Sequence, residues 1–94
     1  MGRENRIEKR FVVRGRVQGV GFRWFVQHAA ASLGIAGWVR NCGDGSVEIM
    51  AAGGAENINR LRGRLWQGPS YSRIDAVEEF DGEPVAGGDF RIVH

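Results

Sequence analysis

RFVVRGRVQGVGFRWFVQHAAASL, residues 10–33, changes the period of its apolar side chains half-way along. Over residues 10–17 the pattern alternates, with Phe11, Val13, Gly15 and Val17 on one face and Val12, Arg14 and Arg16 on the other, as in a half-buried strand. Over residues 22–33, Phe22, Phe25, Val26, Ala29, Ala30 and Leu33 recur at intervals of three and four, which makes one face of a helix that Gly34 would stop. Trp24 and His28 fall on the solvent side of that helix. The strand passes to the helix through a segment with three glycines, Gly15, Gly19 and Gly21.

Working outward, residues 38–41 and 47–51 read as two short strands joined by CGDGS, whose Asp44-Gly45 pair is a hairpin signal. A second helix follows Gly53-Gly54, with Ile58, Leu61 and Leu65 on its apolar face, and Gly68-Pro69 ends it. Residues 74–80 form the next strand, in which Ile74, Val77 and Phe80 slip from strict alternation and predict a bulge. Residues 90–93 supply a short terminal strand. The order β-α-β-β-α-β plus that strand predicts an α+β, ferredoxin-like sandwich: an antiparallel sheet with both helices on one face. A chain of 94 residues, 43% hydrophobic and 26% charged, supports one such core. Residues 1–9 are expected to be a charged, frayed extension and residues 10–94 the domain.

Composition removes several classes of function. No apolar run approaches the roughly 20 residues of a membrane span, and the charged opening lacks the apolar stretch of a signal peptide, so a cytoplasmic protein without a membrane partner is expected. Cys42 is the only cysteine, and His28 and His94 lie far apart, so neither a metal nor another cofactor is expected. The net charge of +2 is uneven: residues 1–43 hold eight cations against two acids, whereas residues 44–94 hold five arginines against nine acids. If the basic half surrounds one site, its field favours an anionic ligand. Sheets of this type that bind RNA stack bases on strand aromatics, and residues 47–51 have none, so no nucleic-acid partner is expected. The oligomeric expectation is a monomer.

The glycine segment opens directly on a helix start. There the first N–H groups lack intrahelical partners and carry the positive end of the helix dipole, so a loop that turns them inward is an anion cradle. Arg23, at the second helical position, can add a guanidinium fork matched to phosphate oxygens. Glycine spacing alone fits an ordinary turn with a surface arginine equally well. Nucleotide motifs do not decide it: Val20 stands where a Walker loop needs its second glycine, and Trp24 where a dinucleotide fingerprint needs its third.

Taken together, GRVQGVGFRWF (residues 15–25), GWVRN (37–41), DGSVE (44–48) and GPSYSRID (68–75) resemble the signature segments of the acylphosphatase family in order and spacing. The resemblance implies a metal-free hydrolase that cleaves acyl phosphates to a carboxylate and inorganic phosphate. It assigns the phosphate to Arg23 and to the backbone amides of a loop comprising Gly15, Val17, Gln18, Gly19, Val20, Gly21 and Phe22, and the attacking water to Asn41. Its partners would be a small-molecule acyl phosphate and inorganic phosphate. A non-catalytic phosphate- or carbamoyl-phosphate-binding regulatory module is the alternative. The departures are the charged extension, Cys42 after the asparagine, and Ala52 in place of a longer polar residue.

These residue types suit that reaction. An acyl phosphate expels a carboxylate whose conjugate acid has a pKa of about 4, so no general acid is needed to help it leave. What remains is charge stabilisation at the phosphoryl oxygens and an aligned water. The Asn41 amide both donates and accepts, and so holds a water without acting as a base. Cys42 lacks the arginine six positions on that a cysteine phosphatase loop has, since Glu48 stands there. Asp44 is explained by its turn and Glu48 by an outward strand position. Trp24 either lines the mouth of the site or is simply an exposed surface aromatic.

Overall fold

Phe11 and Val13 of the first strand and Val17 just beyond it are buried, and the apolar stripes of both helices close over them. The computed structural model describes residues 5–94. Its elements are β1 (Arg6–Arg16), α1 (Phe22–Ser32), β2 (Ala36–Asn41), β3 (Val47–Gly54), α2 (Ala55–Gln67), β4 (Arg73–Asp81) and β5 (Phe90–Val93). The strands form one sheet in the order β4-β1-β3-β2-β5. Val26, Ala29 and Ala30 of α1 and Ile58, Leu61 and Leu65 of α2 share a core with Val39, Val47, Ile49 and Ala51 of the central strands. That is the ferredoxin-like α+β arrangement expected from the periodicities, with the helices on one face.

Two expectations need correction. Residues 6–9 are not frayed: they pair with residues 51–54 of β3, because the small side chains and glycines at the end of β3 let the two backbones continue side by side. Residues 1–4, the rest of the expected extension, lie outside the described residues. Nor is the sheet wholly antiparallel. The four strands β1 to β4 pair antiparallel, but β5 joins the edge of β2 in parallel.

The reason for the parallel addition is topological. β4 and β5 lie at opposite edges of the sheet, so residues 82–89 must cross it. They cross the face away from the helices: the Gly82 N–H donates to the Glu8 carbonyl at 3.1 Å, the Glu83 N–H to Met50 Sδ at 3.4 Å, and the Gly37 N–H to the Asp89 carbonyl at 3.0 Å. This strap helps explain why Met50, which points away from the helices, is nevertheless buried.

The expected bulge is present. Arg14 faces Ala76 and Gly15 faces Ile74, which leaves Asp75 as the extra residue on β4. Gly15 is required at this junction, since a Cβ there would lie 2.1 Å from the Arg73 carbonyl oxygen. Beyond the bulge β1 ends, and the chain turns toward α1.

Candidate active site

Residues 17–21 leave β1 and reach α1 through Gly21, whose φ of 79° is the left-handed conformation that glycine takes without strain. The first helix bond runs from the Phe25 N–H to the Gly21 carbonyl at 3.0 Å. The N–H groups of Phe22, Arg23 and Trp24 therefore precede the helical ladder. No side chain caps this terminus, and its first turn has no acidic residue to offset the dipole. A helix start of that kind favours an anion.

Across from it lies the β2–β3 hairpin. Asn41 is the last residue of β2, and the turn behind it is closed by bonds from the Cys42 N–H to the Ser46 carbonyl (2.8 Å) and from the Gly45 N–H to the Cys42 carbonyl (3.2 Å). Asp44 accepts from the Ser46 hydroxyl at 2.6 Å and the Ser46 N–H at 3.0 Å. Those bonds, with the Arg14 guanidinium 3.1 Å away, hold its carboxyl at about 2, below the ordinary 3.8.

Gln18 ties the two turns together. Its Nε2 donates to the Cys42 carbonyl at 2.8 Å and the Ser46 carbonyl at 2.9 Å, so its side chain braces the loop against the hairpin. Between the turns is a pocket of about 250 Å³. Val17, Gly19, Gly21 and Phe22 line it from the loop and helix start, Arg23 and Trp24 from α1, and Asn41 from β2. A water occupies about 30 Å³ of liquid, so a tetrahedral anion and an attacking water fit together in this volume.

Arg23 and Asn41 thus meet at one pocket although 18 positions separate them in sequence. Arg23 is half-buried and forms no ion pair with a carboxylate among the described residues. The Asn41 Oδ1 is buried and has no hydrogen-bond partner among them. Buried polar atoms in folded proteins are almost always bonded. This oxygen is an exception to that rule, and its residue lines the pocket.

Gly15, Gln18 and Val20, three other residues of the expected loop, are not among those lining the pocket. Gly15 belongs to β1 and the bulge, not to the pocket wall, because the strand runs one residue past it. The side chain of Gln18 is engaged by the hairpin, and that of Val20 packs on the core. Nor does the basic half of the chain gather round the site. Arg10 and Arg40 pair with Glu48, and Arg14 with Asp44 and Glu78. Glu48 is therefore explained as the centre of a cross-strand ion-pair network. Trp24 lines the pocket and is also largely exposed, its ring centroid 3.8 Å from that of His28.

Two wall residues had no signal in the sequence. Ile92 of β5 and His94 complete the pocket, and His94 Nδ1 lies 3.3 Å from Arg23 Nη1. They arrive because the strap delivers β5 beside β2 and the Gln27 Nε2 of α1 donates to the Phe90 carbonyl at 3.4 Å. Among the described residues, no group of three or more His, Cys, Asp or Glu side chains converges. Among the described residues, no helix is long and apolar enough to cross a membrane.

The profile of the acylphosphatase family matches residues 9–92, nearly the whole chain. The chain belongs to the acylphosphatase family. An acylphosphatase of Koribacter versatilis is 55% identical over 76 residues, covering 81% of this chain and 69% of that relative. Among solved structures, the acylphosphatase of Coxiella burnetii superposes with a TM-score of 0.90 at 34% identity, covering 99% of this chain and 100% of that one. An acylphosphatase-like unit also occurs inside a larger protein. Full-length HypF in its phosphate- and nucleotide-bound form matches with a TM-score of 0.86 at 30% identity, covering 100% of this chain but 13% of that one.

Proposed function

We propose that this acylphosphatase family member hydrolyses acyl phosphates to a carboxylate and inorganic phosphate, with Arg23 and the loop amides holding the phosphoryl group and Asn41 orienting the water. The observation that carries this reading is the convergence of Arg23 and Asn41 on one pocket at an uncapped helix start.

The water, held by the Asn41 amide, attacks phosphorus in line with the bond to the acyl oxygen. That bond breaks with its electron pair passing to the carboxylate, and the proton of the water passes to an oxygen of the substrate. Charge accumulates on the equatorial phosphoryl oxygens, where the guanidinium and the N–H groups of residues 22–24 are fixed in advance. The leaving carboxylate is stable as an anion, so neither a general acid nor a Lewis acid is required. The enzyme works without metal, as a monomer, in the cytoplasm, without a nucleic-acid or membrane partner.

The experiment is hydrolysis of benzoyl phosphate and of p-nitrophenyl phosphate, each with and without a chelator. Turnover of the first alone, unchanged by chelation, is expected. Equal cleavage of the ester or sensitivity to the chelator would overturn the mechanism. Phosphate binding without turnover of either compound would favour the regulatory-module reading.

A further inference from the structure

Ion pairs cancel much of this protein's charge where it stands, and the charges left without a partner are unevenly placed. The registers Asn41 to Val47, Val13 to Val47, Arg16 to Arg73 and Arg40 to Val93 put the ends of β1, β2 and β5 and the starts of β3 and β4 together, at the pocket end of the sheet. α1 starts from that end, and α2, which runs from the end of β3 back toward the start of β4, finishes there. The carboxylates of this end are engaged: Asp44 by Arg14, Asp75 by Arg73, and Glu48 by Arg10 and Arg40. Arg16, Arg23 and Arg64 pair with no carboxylate among the described residues.

The other end has the opposite surplus. Glu8, Glu83 and Asp89 are the unpaired carboxylates among the described residues. Glu8 faces Ala52 toward the end of β3, Glu83 lies at the start of the strap, and Asp89 adjoins Gly37 near the start of β2. Arg6 and Arg91, near the starts of β1 and β5, offset them only in part. A chain whose net charge is only +2 thus turns a positive end outward at its pocket.

Arg23 lines that pocket, whereas Arg16 and Arg64 do not. Arg16 is exposed at the last position of β1, next to Val17 of the pocket wall. Arg64 is exposed in the last turn of α2, and its guanidinium carbon lies 5.2 Å from the ring centroid of Phe25 in the first turn of α1. Charges that touch nothing in a site still raise the local concentration of an oppositely charged ligand within the screening length, which falls from about 30 Å at 0.01 M salt to about 3 Å at 1 M.

We propose that Arg16 and Arg64 are capture residues: guanidiniums outside the pocket whose field gathers the phosphate-bearing anion at its mouth, lowering KM without entering the chemical step. The inference rests on the proposed acyl phosphate hydrolysis and adds to it how the substrate is collected. Arg64 also faces the negative end of the α2 dipole, a stabilising role that melting curves read and KM does not.

The test measures KM and kcat for acetyl phosphate at low and high salt. In the double variant Arg16→Gln, Arg64→Gln, KM should rise about fivefold at 0.01 M salt and stay within about twofold of wild type at 0.5 M, with kcat unchanged at both. Arg16→Lys with Arg64→Lys should restore the wild-type KM, since a field needs the charge and not the planar fork. Arg6→Gln, which removes a like charge from the other end, should shift KM by less than about 1.5-fold. A low-salt KM equal to that of wild type, a difference that persists at high salt, a loss in kcat, or an equal effect from Arg6→Gln would each overturn the proposal. Calorimetric binding of inorganic phosphate should weaken with the same salt dependence. That pattern in a protein that turns over no acyl phosphate would sink the hydrolase reading and leave capture standing; turnover with a KM indifferent to both arginines would do the reverse.

Discussion

In the turn of residues 42–46 the polar groups answer one another: the backbone closes on itself at Cys42, Gly45 and Ser46, and Asp44 is held by Ser46 and Arg14. In the turn of residues 17–21, which it faces, the chain enters a helix with no capping side chain and no acid in the first turn. Both turns contain glycine, and glycine alone did not distinguish them in the sequence. The difference lies in where the donors point. A turn that satisfies its own groups supports its neighbours, whereas one that leaves donors at a dipole's positive end has an unmet preference for an anion. Gln18, which reaches from the open turn into the closed one, keeps the two in register.

The comparison can be broken from either side. The largest effect is expected from Arg23→Gln, which removes the only guanidinium lining the pocket among the described residues. kcat/KM should fall about a thousandfold, and inorganic phosphate should cease to compete. Asn41→Ala should cut kcat by roughly a hundredfold, the scale of losing one oriented polar group, while phosphate still inhibits in steady-state assays. Full turnover by that variant would end Asn41's assignment.

Unfastening the two turns should do less. Gln18→Ala removes two hydrogen bonds to carbonyls that keep other donors, so a loss of about 1–2 kcal/mol in urea unfolding is expected. KM should rise severalfold as the loop moves relative to Asn41. The smallest effect belongs to the closed turn itself. Asp44→Ala should lower the melting temperature slightly and leave kcat as it was.

The pH dependence of that last difference has a defined sign. The Asp44 carboxyl is depressed in the fold, first by the Ser46 hydroxyl, then by the Ser46 N–H and Arg14. Its stabilising contribution is complete above the ordinary value of 3.8 and is lost as the pH falls through about 2. Melting curves of the wild type and Asp44→Ala should therefore differ at neutral pH and converge over that window. A gap that widened on acidification would contradict the assigned bonds.

Much of this was legible in the sequence because it is periodic or local. The stripes of α1 and α2, the hairpin at Asp44-Gly45 and the slip in β4 each follow from side-chain spacing, and each is where it was expected. The stretch from Arg6 to Lys9 did not look like a strand, since its charges conceal the alternation; a partner strand in register supplied what propensity did not. The direction of β5 was also hidden, because four residues of FRIV read alike in either orientation. At the site, Arg23 and Asn41 were found through motif, while Ile92 and His94 were not. Their position depends on a crossing over the whole sheet, which no window of sequence contains.

That crossing sets a length. From β4 to β5 is four strand spacings, about 19 Å, and residues 82–89, which bridge Asp81 to Phe90, extend to about 30 Å. The path also has to rise over side chains, which uses part of that difference. Residues 82–89 act as a ruler laid across the back of the sheet: with about four notches removed β5 can no longer reach its edge, so the placement of Ile92 and His94 is gauged from the opposite side of the molecule.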